Sequence, residues 1–163
     1  MNSLQYRLCS IPDCYYVAAR MRPADIDEVS SRGSDPLNAL LKGYVYGDRC
    51  TTVLKDDEPI AIYGCAVTSK DPRTASVWML GTDKMYTHRY AVLRDSRDRL
   101  DLLGLGYQVL WNYVDSRNHL HIRWLQWLGF SFIRSTTEVS VDGTPFYEFA
   151  KLNHVRSNHN RCQ

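Results

Sequence analysis

Residues 110–130 constrain the fold more than any other part of this 163-residue chain. They open with an apolar run over residues 110–114, which is typical of a strand buried on both faces. Asn118 can cap a helix, because its side-chain oxygen accepts a hydrogen bond from a free N–H of the first turn. Gly129 suits the left-handed backbone at a helix end. The pattern predicts a buried strand, a short helix over residues 118–128 and a further strand from Phe130.

Apolar side chains cover one wide arc of this predicted helix. Only His119, Arg123 and Gln126 face away from it, so we expect the helix to be nearly enclosed by protein. His121 lies in the middle of the arc. It is either a core histidine hydrogen-bonded to backbone or water, or a histidine at the floor of a cleft that serves binding or proton transfer.

Composition excludes several classes of protein. Lys and Arg are spread along the chain and the net charge is +2, so no nucleic-acid partner is expected. No apolar run approaches the ~18 residues of a membrane span, and the N-terminus lacks a signal-peptide pattern. The five cysteines are odd in number and form no CxxC pair, which indicates free thiols in a reducing cytosol. The spacing of His154, His159 and Cys162 matches no zinc signature, so no metal site is expected.

The hydrophobic period predicts an α/β (α+β) domain with a mixed sheet and flanking helices. Residues 1–14 are expected to be an N-terminal extension, residues 15–152 the domain, and residues 153–163 a disordered tail. The predicted strands are 15–21, 51–54, 60–67, 75–80, 110–114, 131–141 and 146–152; the predicted helices begin near Pro23 and Pro36 and cover 87–103 and 118–128; residues 81–86 are a predicted loop.

The order of these elements, with Asn118-x-x-His121-Ile122 and Gly129-Phe130, resembles the GNAT superfamily of acyl-CoA-dependent N-acetyltransferases over residues 15–152. That resemblance implies a mostly antiparallel sheet of six to seven strands. Residues 110–114, followed by Asn118-x-x-His121-Ile122-Arg123-x-Leu125-x-x-x-Gly129, are also similar to the internal virion (gene thirteen) proteins of T-seven-like phages. That family is itself classed as GNAT-like and is implicated in assembling the internal proteins of the virion.

The chain departs from the enzymatic GNAT pattern at two places. Active members hold the CoA pyrophosphate in a glycine-containing loop after the fourth strand, where glycines let the backbone approach the phosphates. The equivalent residues 82–89 contain no glycine. Many members also have a tyrosine seven residues after the asparagine, which protonates the departing thiolate; here that residue is Leu125. The strand 75–80 has no carboxylate to deprotonate an amine, and Asp83 is the nearest.

Two functions are therefore expected. The first is a phage protein that binds phage or host proteins in virion assembly or internal-protein packaging, with degenerate catalysis and no cofactor. The alternative is an acyl-CoA-dependent N-acetyltransferase with a divergent CoA site that uses acetyl-CoA and modifies a host or phage target. In that case His121 would be catalytic, and Asn118, Lys84, His88 and Arg89 would bind the cofactor. The expected location is the host cytoplasm, with association with the virion as a further option.

Overall fold

The structure, a computed structural model, describes residues 3–68 and 70–153. Within those ranges the chain forms one domain of strands and helices. In chain order the elements are β1 (Gln5–Leu8), α1 (Ile11–Ala18), α2 (Pro23–Ser31), α3 (Pro36–Tyr46), β2 (Arg49–Lys55), β3 (Glu58–Val67), β4 (Thr74–Gly81), α4 (Lys84–Thr87), α5 (Arg89–Leu103), β5 (Val109–Asp115), α6 (His119–Trp127), β6 (Ser131–Thr136) and β7 (Phe146–Leu152).

The seven strands form one sheet in the order β1-β2-β3-β4-β5-β7-β6. Neighbouring strands are antiparallel except β4 and β5, which are parallel and joined through α5. The predicted fold class, a mixed and mostly antiparallel sheet of six to seven strands with flanking helices, is confirmed. The β4–α5–β5 connection is a parallel crossover, and β5 lies inside the sheet between β4 and β7.

Two hydrophobic cores lie on opposite faces of the sheet. Successive residues of β3 alternate between them, since Ala61 and Tyr63 belong to one core and Ile62 to the other. The first core packs against α5 and α6 through Leu100, Leu103, Leu125 and Leu128, among others. The second packs against α1, α2 and α3 through Cys14, Val17, Val29 and Leu40.

The predicted strand over residues 15–21 is wrong, because this segment begins inside α1. Cys14 and Val17 are fully buried at helical spacing, and Asp13 accepts a hydrogen bond from Ser10 N–H (3.0 Å) at the helix entrance. Burial of one helical face therefore outweighs the strand preference of Tyr15 and Tyr16. The expected domain boundary at residue 15 falls inside α1, and residues 5–8 form an edge strand of the sheet.

Two further elements differ from the prediction in extent, and a third differs in how far it is buried. The predicted loop over residues 81–86 contains the start of α4, and the strand predicted over 131–141 ends at Thr136. Helix α6 is less enclosed than its apolar arc indicates, since Leu120 is 44 % and Trp127 is 42 % exposed. Apart from residue 153, the predicted tail lies outside the described residues. No helix in the described part of the chain has the length and apolar character that crossing a membrane would require.

Candidate functional site

β4 and β5 separate in the middle of the sheet. They pair over three positions only, from Thr74 opposite Val109 to Ser76 opposite Trp111. Beyond these positions the strands part, and the side-chain Nδ2 of Asn112 donates to the carbonyl of Val77 (2.7 Å) at the point of separation. The remaining residues of β4 and β5 therefore border an opening in the sheet.

The backbone groups of β4 that face this opening are partly satisfied by α2. Gly81 N–H donates to the carboxylate of Asp25 (2.8 Å), and Gly81 C=O accepts from Arg22 N–H (2.9 Å). Asp25 is almost fully buried and forms an ion pair with Arg22 (2.8 Å). Because alternate residues of a strand face opposite neighbours, the peptide groups of Met79 also face the opening. The start of α2 thus closes one end of the opening and leaves the middle free.

A cavity of about 450 Å³ lies at the opening and reaches both faces of the sheet. Its walls are mostly apolar or aromatic, and they come from both hydrophobic cores. Arg99 is one of the charged groups on its wall, and its guanidinium stacks over the Tyr6 ring (3.6 Å to the centroid). Other lining residues are Tyr63, Val77, Trp78, Met79, Met85, Val92, Leu100, Trp124, Glu28, Arg32, Asn112 and His121.

Asn118 and His121 come together beside this cavity, as the predicted N-cap geometry requires. Asn118 Oδ1 accepts from the backbone N–H of His121 (3.4 Å), which confirms Asn118 as the N-cap of α6. Among the described residues, Asn118 Nδ2 and His121 Nδ1 are buried without a hydrogen-bond partner. Burial lowers the pKa of His121 to about 4, so its ring is neutral at pH 7. Such unpaired buried groups are uncommon, and that of His121, which lines the cavity, is available to a polar group of a ligand.

Glu28 is one of the polar residues of this cavity that the sequence analysis did not single out. It is half-buried on α2, and its carboxylate accepts from Asp115 N–H (3.3 Å). Burial and then the negative charge of Asp25 raise its pKa to about 7, so it can hold or release a proton near neutral pH. One signal was present in the sequence, because Asp25 and Glu28 occupy the same helical face as the buried Val29.

The predicted cofactor residues of the β4–α5 connection lie elsewhere. Lys84 and Arg89 are exposed, and His88 forms the junction between α4 and α5. Lys84 Nζ is paired with the carboxylate of Glu58. The guanidinium of Arg89 stacks on the rings of two exposed tyrosines, Tyr86 (5.1 Å) and Tyr90 (4.7 Å). Of the predicted site residues, His121 lines the cavity and Asn118 contacts the backbone of His121, whereas Lys84, His88 and Arg89 lie outside the lining.

The β4–α5 connection offers few free backbone donors. The N–H groups of residues 85–88 donate to the carbonyls of Thr82, Asp83 and Lys84 inside the turns of α4. The described residues with positive φ lie outside this connection, so it lacks the left-handed residue of an anion-binding nest. The β4–α5 connection therefore does not offer a CoA pyrophosphate the free backbone N–H groups that the glycine-containing loop offers in active members.

The acid and base residues of the enzymatic GNAT pattern are also absent from the equivalent positions of this chain. Leu125 is 4 % exposed and belongs to the hydrophobic core, and Asp83 is exposed at the start of α4. Across residues 3–68 and 70–153, no group of three or more His, Cys, Asp or Glu side chains is arranged to hold a metal ion.

Comparison with known families gives one match that covers just under half of the chain. Residues 59–137 match the family described as "Bacteriophage T7, probable scaffold protein Gp13". This segment includes β4, α4, α5, β5 and α6, and therefore much of the candidate site. No curated protein sequence matches the chain.

Solved structures that are similar to this chain include several acetyltransferases. The acetyltransferase of the GNAT family from Streptococcus pneumoniae is 13 % identical with a TM-score of 0.63, covering 92 % of this chain and 99 % of that one. AAC(6')-Ib in complex with ribostamycin and coenzyme A is 14 % identical with a TM-score of 0.67, covering 96 % and 99 %. The yncA structure from Salmonella typhimurium, solved with acetyl-CoA, is 14 % identical with a TM-score of 0.66, covering 99 % and 100 %. The chain therefore has the GNAT acetyltransferase fold, and its residues 59–137 are similar to the phage T7 Gp13 scaffold family.

Proposed function

We propose that this protein is a binding component of phage particle assembly, built on a GNAT fold whose acyl-CoA site is degenerate. The main support for this proposal is helix α4. Where active members have a phosphate-binding loop, this chain has helical turns whose N–H groups already donate to carbonyls of the same segment. Since α4 lies inside the segment that matches a scaffold family, the same residues support both parts of the proposal. In this role the protein acts in the host cytoplasm on phage or host proteins and stays with the virion.

The altered connection also presents a surface that suits a protein partner. Tyr86 is 55 % and Tyr90 is 74 % exposed, and Arg89 stacks between them; we call these three residues the Tyr86–Tyr90 surface. Tyr and Arg are enriched among the residues that dominate binding energy in protein interfaces. The stacking also holds Arg89 in place, which lowers the entropy that binding would cost.

Acetyl-CoA binding tests the degenerate site. A ligand at 100 times its dissociation constant adds about 2.7 kcal/mol of stability. For a domain of this size that raises the melting temperature by several degrees, at ~2–4 °C per kcal/mol. We expect no shift at millimolar acetyl-CoA, and the same result for Lys84→Ala and Arg89→Ala. An upward shift that Arg89→Ala abolishes would mean that side chains have rebuilt the cofactor site.

Complementation of a phage that lacks this gene tests the binding role. Replacing all three residues of the Tyr86–Tyr90 surface with alanine should strongly reduce the yield of infectious particles, because each lost anchor costs more than ~1 kcal/mol of binding. The matched variants Glu28→Gln and His121→Gln change the cavity and should support a yield close to that of the unaltered protein. The opposite ranking, with all variants folded by circular dichroism, would refute the binding role.

One observation favours a second function, acyl transfer with a divergent CoA site. Glu28 and His121 line the same cavity at the β4–β5 opening, and Glu28 has a pKa of about 7, which suits a general base. Under this alternative Asn118, Lys84, His88 and Arg89 remain the proposed cofactor residues and His121 the proposed catalytic one. Transfer of a labelled acetyl group from acetyl-CoA to phage or host proteins, lost in Glu28→Gln, would favour this function over the first.

A further inference from the structure

Three cysteines meet where β1 ends and α1 begins, and none of them lines the cavity. Cys9 follows β1 and lies opposite Cys50 of β2, with its N–H donating to the Cys50 carbonyl (3.0 Å). Cys14 lies in the first turns of α1, and its Sγ is 3.8 Å from the Sγ of Cys9. All three are free thiols, as the sequence predicts.

The three thiols differ in accessibility. Cys9 and Cys50 are half-buried, whereas Cys14 is fully buried. A small reagent can therefore reach Cys9, whereas the fully buried Cys14 is in contact with the Sγ of Cys9. The Sγ atoms of Cys9 and Cys14 need to approach from 3.8 Å to the ~2.05 Å of a disulfide bond.

The surroundings of the three thiols also shift their pKa values in different directions. A hydrogen bond from the Cys50 thiol is the main cause that lowers the pKa of Cys9 to about 6. The nearby carboxylate of Asp13 opposes this shift, but it is held by the guanidinium of Arg7 (2.5 and 2.8 Å). Burial raises the pKa of Cys14 to about 12, and the hydrogen bond to Cys9 raises that of Cys50. Cys9 is therefore the most acidic of the three thiols, and the thiolate is the nucleophilic form of a cysteine.

We propose that Cys9, Cys14 and Cys50 form a thiol–disulfide exchange site for low-molecular-weight disulfides. The Cys9 thiolate attacks one sulfur of the reagent, its S–S bond breaks, and one thiolate leaves. The Cys14 thiol then attacks Cys9 in the mixed disulfide, releasing the second reagent thiol with the proton of Cys14. Starting from the Cys9 thiolate, the protein loses two electrons and one proton, and the reagent disulfide becomes one thiolate and one thiol. Cys50 positions and stabilises the Cys9 thiolate.

Reaction of the full chain with oxidised glutathione tests this proposal, with Cys162→Ser in every sample because residue 162 lies outside the described residues. Peptide mapping after alkylation should find a Cys9–Cys14 disulfide. Cys9→Ser should not react, and Cys14→Ala should stop at a glutathione adduct on Cys9. Cys65→Ser, which changes a fully buried thiol of β3, is the matched control and should react like the parent.

The pH profile of iodoacetamide alkylation tests the role of Cys50. The rate at Cys9 should be half-maximal near pH 6 in the parent. In Cys50→Ala the midpoint should rise by about two pH units, toward the usual value for cysteine. A parent midpoint near the usual value, a persistent glutathione adduct on Cys9 of the parent, or a Cys9–Cys50 disulfide would each overturn the assignment. Circular dichroism of each variant shows that the comparison is between folded proteins.

Discussion

Glu28 and His121 share one cavity, and burial moves both toward their neutral forms. The pKa of Glu28 rises to about 7, and that of His121 falls to about 4. For a carboxyl with a raised pKa, stability is fully present below its unfolded pKa and is lost as pH rises through the folded value. For a histidine with a lowered pKa, stability is present above its unfolded pKa and is lost as pH falls. The two residues therefore impose opposite pH dependences on the same site.

Glu28→Gln should remove the pH dependence of stability that Glu28 imposes. At pH 4 both forms carry a neutral side chain, so their free energies of unfolding should be similar. At pH 8 the variant should be more stable by about 1–3 kcal/mol, because it avoids a buried charge. Urea unfolding at the two pH values measures this difference.

His121→Gln is the matched variant for the opposite slope. It should gain stability relative to the unaltered protein as pH falls from about 6.5 to about 4, where the buried ring takes up a proton. A difference that stays constant with pH in either variant would mean that the residue does not titrate inside the cavity.

Helix α6 connects the candidate site to the first hydrophobic core. Leu125 and Leu128 anchor it in that core, and both also line the cavity. Trp124 packs against the same core and lines the cavity, and its Nε1 donates to Ser96 Oγ of α5 (3.4 Å). The Trp124 ring also lies 5.5 Å from the ring of His121. Trp124 therefore fixes the position of α6 relative to α5 and shapes the wall beside His121.

Trp124→Ala should cost about 3 kcal/mol of stability, at the lower end of the range for large core residues, because the indole is only half-buried. Trp127→Ala, three residues along the same helix, is the matched control. Trp127 is 42 % exposed and is covered by Arg97, so its loss should cost under ~1 kcal/mol. Equal losses in chemical denaturation would show that Trp124 does not carry the packing of α6.

At the scale of the whole molecule, the N-terminal residues complete the domain. Leu4 is buried in the first core, and the Tyr6 hydroxyl donates to Asp95 of α5 (2.9 Å). Arg7 holds the buried carboxylate of Asp13 with two hydrogen bonds. The first strand thus binds α5 on one side and the entrance of α1 on the other.

Deleting residues 2–8 should lower the free energy of unfolding by more than about 3 kcal/mol, since it removes apolar burial and leaves Asp13 without its cation. The measurement is the urea midpoint of the shortened chain. Gln5→Ala, an exposed position of the same strand, should change stability by less than ~0.5 kcal/mol. An unchanged midpoint after the deletion would support a domain that begins near residue 15.

Local sequence signals were sufficient for the features that depend on residues close together in the chain. Asn118 caps α6, Gly129 follows it with φ +94°, and Asp56 and Asp57 form the β2–β3 turn with positive φ. The strand periods and their order were sufficient for the fold class. Only the tertiary contacts decided the separation of β4 from β5, the place of Glu28 at the cavity and the meeting of Cys9 with Cys14 and Cys50. These depend on contacts between distant segments and on burial, which changes both the preferred backbone and the pKa of a side chain.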